Sequence, residues 1–430
     1  MSMKLDKMIK LSVFMTLMTG FLGPVLFNEK VGHIHIFLYR IIFLILLFFS
    51  VVKLIIERPP FDLSRIKVKA YLGFLILWFF YGLVSLSWSI SKADAIRNIM
   101  FLFMAVMVIC MVVYYFSSIG GLEMIYYLWL FTLVLFIFIG LWEVETGYHL
   151  MTSLYSKKSL ILHHIKRPTA VFYNPNDFAT YLVMSIPFLF TLVRYKKNSI
   201  MRFLGMVCVL LAFFLLIKGR ARSAFIAIGL EFLFVLLVLT SWSMKKKVIV
   251  LIGAFTMILI AWEVSNDFHW SNDIIRLVKS FYFNSHPGKS FNIRLNLLKN
   301  ALVFLKTTCG IGVGAGNTEY WMKHFSVYPT WRMTNLHNWW FEILTNYGLL
   351  VFCGYVVFFI GLLKNLFQVY KNLDEVTEKM ICEALMIGLV GFVIACVGSS
   401  SIMTLRFQWF FFAFSLAFLN YTRLKGNPRV

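Results

Sequence analysis

Charge is scarce in this chain: 14% of its 430 residues are Asp, Glu, Lys or Arg, where a soluble domain carries roughly 25%. With 60% hydrophobic and 18% aromatic residues, that scarcity excludes a water-soluble enzyme, a disordered chain and a fibrous repeat. Acidic residues are the rarest, 19 against 41 Lys and Arg, for a formal net charge of +22. Cysteine is thin as well. Of Cys110, Cys208, Cys309, Cys353, Cys382 and Cys396, all but Cys309 sit inside apolar runs and read as small packed hydrophobes. No CxxC or Cys/His spacing occurs, which argues against a structural zinc site. Lys4, Lys7 and Lys10 precede an apolar stretch in the manner of a signal peptide, but no small-residue cleavage site follows, so the expectation is a retained first helix.

Apolar runs of about twenty residues, the length that crosses a bilayer as a helix, are plentiful. They lie near 11–27, 35–56, 70–90, 97–117, 121–142, 178–194, 201–217, 223–241, 247–264, 343–363, 380–398 and 402–422. The expectation is an all-α polytopic membrane protein with about twelve spans, folded as a single integral membrane domain. Basic residues of short loops stay on the cytoplasmic side. Placing both termini there puts Arg58, Arg65, Lys67 and Lys69 inside, together with Arg194, Lys196, Lys197 and Arg202, Lys245 to Lys247, Lys364, Lys371 and Lys379, and the tail. Residues 143–177 then form an outer loop, and 265–342 a large extracytoplasmic loop between spans nine and ten.

Basic residues also fall outside, among them Lys157, Lys158, Lys166, Arg167, Arg276, Lys279 and the KGRAR of 218–222. Most of these lysines read as solvated surface. Within the large loop, FNIRLNLLKNALVFLK (291–306) has the apolar spacing of an interfacial amphipathic helix carrying Arg294. GIGVGAGN (310–317) follows, with glycine at alternate positions. No Lys-Ser/Thr follows, so it is not a phosphate-binding P-loop; Gly312 and Gly314 permit close approach either of a ligand or of another helix.

Arg220 and Arg222 stand at the outer end of the eighth span. Arginine at that depth is costly unless it snorkels or is paired; the functional alternative is a guanidinium fork that binds phosphate oxygens. Arg294 offers a second fork, and two such forks would offset the charge that grows on a diphosphate leaving group. His337, in TNLHNWWFEILTNYGLL, is near neutral at physiological pH and placed to act as a general base. Glu342 either orients it or faces the interface, while Trp339 and Trp340 read as aromatic belt or as a platform for sugar rings, the belt being favoured. His163 and His164 lack carboxylates at ligand spacing. Asn176 or Asp177 reads as the N-cap of the sixth span, and Glu231 is an acid at mid-membrane that must be neutral or paired.

Taken in order, these segments resemble the O-antigen ligase and polysaccharide polymerase family of bacterial membrane glycosyltransferases. The resemblance rests on Asn174-Pro175-Asn176-Asp177, Arg222-Ser223, Arg294, Gly310 to Gly316, His337-Asn338 and Gly348-Leu349. It covers residues 165–360 by motif and the remainder by topology. It implies glycan transfer from undecaprenyl diphosphate to an acceptor hydroxyl, on a glycan or a lipid-linked acceptor, at the outer face of the cytoplasmic membrane. Arg222 and Arg294 would bind the diphosphate, His337 would activate the acceptor, and Arg220, Asn338, Asn176, Gly312 and Gly314 would contact substrate. No metal, no cofactor and no nucleic acid is expected; membrane lipids are, and the transfer is expected to invert. Arg220 beside Arg222 leaves the assignment between them open. A polymerase is favoured over a ligase because of the Asn-Pro-Asn-Asp form. A lipid-linked sugar transporter is the third reading, against which stands the lack of internal repeats and paired broken helices.

Overall fold

The computed structural model describes residues 2–31, 34–57, 61–156, 166–241, 243, 246–249 and 289–426. His163, His164, Lys157, Lys158, Arg276, Lys279 and all but the first three residues of the ninth apolar run lie outside the described residues. The remaining eleven runs are each occupied by a helix. These are α1 (Ser2–Leu22), α2 (Leu38–Ile56), α3 (Lys69–Ser85), α4 (Lys92–Tyr115), α5 (Ile119–Thr146), α6 (Pro175–Tyr195), α7 (Ser199–Gly219) and α8 (Arg222–Phe234, continued by a π turn over Val235–Leu239). Beyond the undescribed stretch come α9 (Lys289–Thr307), the short α10 (Thr318–His324), α11 (Trp339–Tyr370), α12 (Val376–Ala395) and α13 (Arg406–Leu424).

Among the described residues, seven helices are long and apolar enough to cross a bilayer. The chain is therefore a multi-span membrane protein, predominantly helical among the described residues. One exception to the all-α expectation is a two-stranded antiparallel hairpin, β1 (Asn28–Val31) and β2 (Ile34–Phe37), joining α1 to α2. Its β-branched Val31, Ile34 and Ile36 suit a short extended connection.

The core is built around α6, α12 and α13. Apolar side chains cover nearly their whole circumference, and each is buried along most of its length. Such all-round apolar helices pack centrally, whereas α2, α7 and α8 bury one stripe each and leave the rest facing outward. Because the helices alternate in direction, the ends near 22–38, 85–92, 146–175, 219–222 and 395–406 gather at one end of the bundle. The opposite end is fastened by buried acids: Glu383 takes Arg194 at 3.3 Å and the Tyr195 hydroxyl at 2.5 Å, and Glu378 takes Lys425 at 2.7 Å.

The tenth apolar run departs from its expected shape. Gly348 breaks α11 with φ 76° and ψ −176°, a conformation essentially confined to glycine. Trp339 Nε1 consequently donates to the Tyr355 hydroxyl at 2.9 Å, a contact that sixteen residues of straight helix, rising ~1.5 Å each, would prevent. The space that a side chain at Gly348 would need is filled by the backbone of Gly310 and Ile311. Gly348→Ala should therefore cost upwards of about 1–3 kcal/mol from strain alone and lower the unfolding midpoint in detergent. Gly73→Ala, in a helical position with nothing within 4 Å, should leave it unchanged or raise it slightly. Thermal unfolding of the two variants side by side checks the contrast.

Candidate active site

Between α12 and α13 runs Gly398-Ser399-Ser400-Ser401, a polar stretch flanked by apolar helices. Buried hydroxyl and backbone groups must find partners within protein, and the three serines take theirs from two helices, α6 and α11. Ser400 donates its N–H (2.8 Å) and its hydroxyl (2.6 Å) to the Asp177 carboxylate on α6. Ser399 exchanges a hydrogen bond with the Thr180 hydroxyl at 2.6 Å. Ser401 donates to Glu342 Oε1 on α11.

The Asn174–Asp177 segment is placed by its own cap. Asn174, rather than Asn176 or Asp177, is the N-cap of α6: its Oδ1 accepts from the N–H groups of Asn176 (2.9 Å) and Asp177 (3.0 Å), with Pro175 at the first helical position. This corrects the expected cap by two or three residues. It also frees Asp177 to turn inward, where Asn174 Nδ2 (2.9 Å) joins Ser400 on its carboxylate. The Asn176 side chain is part of neither interaction.

The turn between α7 and α8 separates the roles of its arginines. Arg220 is the left-handed C-cap of α7, with φ 55° and its N–H donating to the Leu216 and Ile217 carbonyls at 3.2 Å each. Arg167 secures the same turn by donating to the Gly219 carbonyl at 2.7 Å, a cation at a helix C-terminus. Arg222 opens α8, and Ser223 packs against Gly398, where any Cβ would strike its hydroxyl. The Arg-Ser pair is thus seated directly against the serine stretch.

Arg294 arrives from α9. The buried face of that helix, Leu297, Ala301 and Phe304, forms a small core with Val313, Met322 and Leu336. Asn300 completes the attachment by accepting from the N–H groups of Val327 and Tyr328, both at 2.9 Å. Docking Leu336 against α9 carries the next residue, His337, toward Arg294. Loss of water lowers the Arg294 pKa from the usual arginine range, and the positive charge of Arg222 lowers it further. Arg222 is thus a positive neighbour of Arg294.

His337 adopts φ 49°, held there because its N–H donates to Asn335 Oδ1 (2.8 Å) while Asn335 Nδ2 donates to Glu319 on α10 (2.8 Å). Its Nδ1 lies 3.1 Å from the Ser399 carbonyl. A carbonyl only accepts, so Nδ1 carries the proton and Nε2 is left as the basic nitrogen. Desolvation, then the nearby Arg294 charge, lower the His337 pKa below its usual value; the Ser399 bond and Glu319 act in the opposite sense. The ring is neutral at physiological pH.

The other expected contacts fare differently. Asn338 caps α11, accepting from the Phe341 N–H at 3.3 Å. Trp339 is buried against Trp78, Tyr355 and Trp409 instead of standing in an aromatic belt. Glu342 faces Ser401 and does not reach His337. Gly312 and Gly314 have φ of 86° and 95°, and the space over each is filled by protein, the backbone of Asn346 and Gly348 in one case and Ser89 in the other. The glycine stretch thus lies in close approach to α11 and to Ser89. Glu231 is buried against Gly391, with Oε1 unbonded among the described residues. Beside the histidine turn opens a polar cavity of about 190 Å³, lined by Arg97, Glu319, Asn335, Glu342 and Ser401 among others.

Residues 206–356, which include Arg222, Arg294 and His337, match the family model described as O-Antigen ligase. Along its length the chain is 31% identical, over 417 residues, to the teichuronic acid biosynthesis protein TuaE of Bacillus subtilis (strain 168), covering 96% of this chain and 84% of that protein. The chain belongs to the O-antigen ligase and polysaccharide polymerase family.

For this family member, sequence reasoning missed the serine stretch, Asn335 and Glu319. The signal for the first was present: Gly398 to Ser401 is a polar run, too short for a loop domain, between two apolar helices. Asp177→Ala strands the N–H and hydroxyl of Ser400, each left-over buried group costing about 1–3 kcal/mol, and should lower the unfolding midpoint by several degrees. Asn176→Ala should leave it in place. A midpoint equal in both variants would contradict the role given to Asp177.

Proposed function

We propose that this chain is a membrane glycosyltransferase of surface-polysaccharide synthesis, which moves a glycan from undecaprenyl diphosphate to an acceptor hydroxyl. We place the reaction on the outer face of the bacterial cytoplasmic membrane, in a twelve-span chain with both termini inside. The observation that carries the reading is that Arg294, on α9, lies within electrostatic reach both of Arg222 at the start of α8 and of His337 ahead of α11.

The chemistry follows from that grouping. The guanidinium forks of Arg222 and Arg294 hold the diphosphate, and their charge stabilises the negative charge that develops as the bond from sugar C1 to the diphosphate oxygen breaks. His337 Nε2 takes the proton of the acceptor hydroxyl as its oxygen bonds to C1. Attack from the side opposite the departing undecaprenyl diphosphate inverts the anomeric centre, and protein charges alone serve the leaving group. Polymerisation of repeat units is the favoured form, supported by a relative named for teichuronic acid biosynthesis. Transfer of a finished chain to a different acceptor is the second form, and the matched family description names it.

Purified protein given a lipid-linked oligosaccharide should yield a ladder of longer lipid-linked products; product only on an added second acceptor would indicate the ligase form, and no product with either would overturn the reading. Arg222→Ala and Arg294→Ala should each slow transfer by about a hundred- to a thousandfold, and Arg222→Lys should recover little, since a point charge does not replace a fork. Because His337 must be unprotonated, the acidic limb of the pH–rate profile should lie below the ordinary histidine value of ~6.5. Arg294→Gln removes a positive neighbour, so the limb of its residual activity should move to higher pH; a fixed or falling limb would exclude His337 as the base.

A further inference from the structure

A second cavity, of about 370 Å³, lies on the other side of the Ser399–Thr404 segment from the histidine turn. Its walls include Gly23, Asn28, Thr152, Ser400, Arg406 and Phe407. Two of its features call for an anion. The Arg406 guanidinium is braced against the rings of Phe37 (4.7 Å) and Tyr39 (4.9 Å) and is joined to no carboxylate among the described residues. The Thr152 hydroxyl is buried with no hydrogen-bond partner among the described residues. In addition, α13 begins at this wall with no side-chain cap on its first-turn N–H groups, which favours negative charge there. Asp177 also borders the cavity, but Ser400 and Asn174 already occupy its carboxylate.

We propose that this cavity binds the diphosphate headgroup of a second polyprenyl-linked glycan, the acceptor. The inference rests on the glycan-transfer reading above and sharpens it. In polymerisation both partners carry a diphosphate at the reducing end. The donor's leaves at Arg222 and Arg294; the acceptor's stays attached and needs its own anion cradle, one repeat unit away from the hydroxyl that reacts. Thr404 lines both this cavity and the smaller one, whose wall reaches Asn335 and Leu336 just ahead of His337, so the acceptor glycan would run from Arg406 past Thr404 toward the base. A ligase whose acceptor lacks a diphosphate has no use for such a cradle.

Native mass spectrometry of the full chain in detergent, titrated with geranylgeranyl diphosphate, tests this. The wild type should hold two molecules, Arg406→Ala one, and the Arg222→Ala/Arg294→Ala double variant one. Two molecules still bound to Arg406→Ala, or a single wild-type site that the double variant abolishes, would overturn the proposal. If the double variant keeps two while Arg406→Ala keeps one, the donor-site reading fails and the second cradle stands. Thr152→Val guards against misfolding of the arginine variant: it should weaken one of the two sites by about tenfold, and unchanged binding would count against the cavity. Inorganic pyrophosphate should bind there more weakly than the prenylated compound; equal binding would make it a site for a free anion and refute the lipid assignment.

Discussion

A buried hydroxyl or backbone group has to find its partner within the protein, and the Gly398–Ser401 segment, at the joint of two apolar helices, finds its partners on α6 and α11. That constraint organises the site. Asp177, Thr180 and Glu342 each answer one serine, which locks the starts of α6 and α11 to the joint between α12 and α13. The one strong acceptor given over to function, the Ser399 carbonyl, faces the His337 ring. Gly398 lets Ser223 close in, and Arg222 comes with it. Positioning is thus done by groups that need not touch substrate.

Electrostatics then divides the labour. Arg222 places a like charge within electrostatic range of Arg294, and in the proposed function a diphosphate, with its charge and oxygen geometry, would meet both. The same positive field disfavours a proton on His337, keeping it a base while the Ser399 carbonyl fixes which nitrogen is basic. In the proposed reaction one pair of arginines would serve the leaving group directly and the histidine indirectly. Arg406 repeats the theme across the Ser399–Thr404 segment, with aromatic rings in place of a carboxylate as its support.

Much of this was legible in the sequence because membrane helices write themselves as apolar runs, and because arginine and histidine at the end of such a run stand out against it. Arg222 and His337 were singled out that way and Arg294 by the amphipathic helix that carries it, and their order along the chain pointed to the family. Features set by tertiary contact were not legible. The break at Gly348 depends on Gly310 and Ile311, which lie far back in the chain. Asn174, Asn176 and Asp177 are all good caps by residue type, and only the position of Ser400 shows why Asn174 caps and Asp177 turns inward. Alternate glycines allow both ligand contact and packing; the close approach of Ser89, Asn346 and Gly348 is set by the fold. The serine stretch was visible as letters, but its meaning lies in partners up to 223 residues away.

The account turns on the state of one imidazole. Solid-state NMR of ¹⁵N-histidine-labelled protein in lipid, with His337→Asn as the difference reference, reads the protonation of each ring nitrogen at neutral pH. The prediction is a neutral ring with hydrogen on Nδ1 and a bare Nε2. A protonated imidazolium, or a neutral ring with its hydrogen on Nε2, would contradict it.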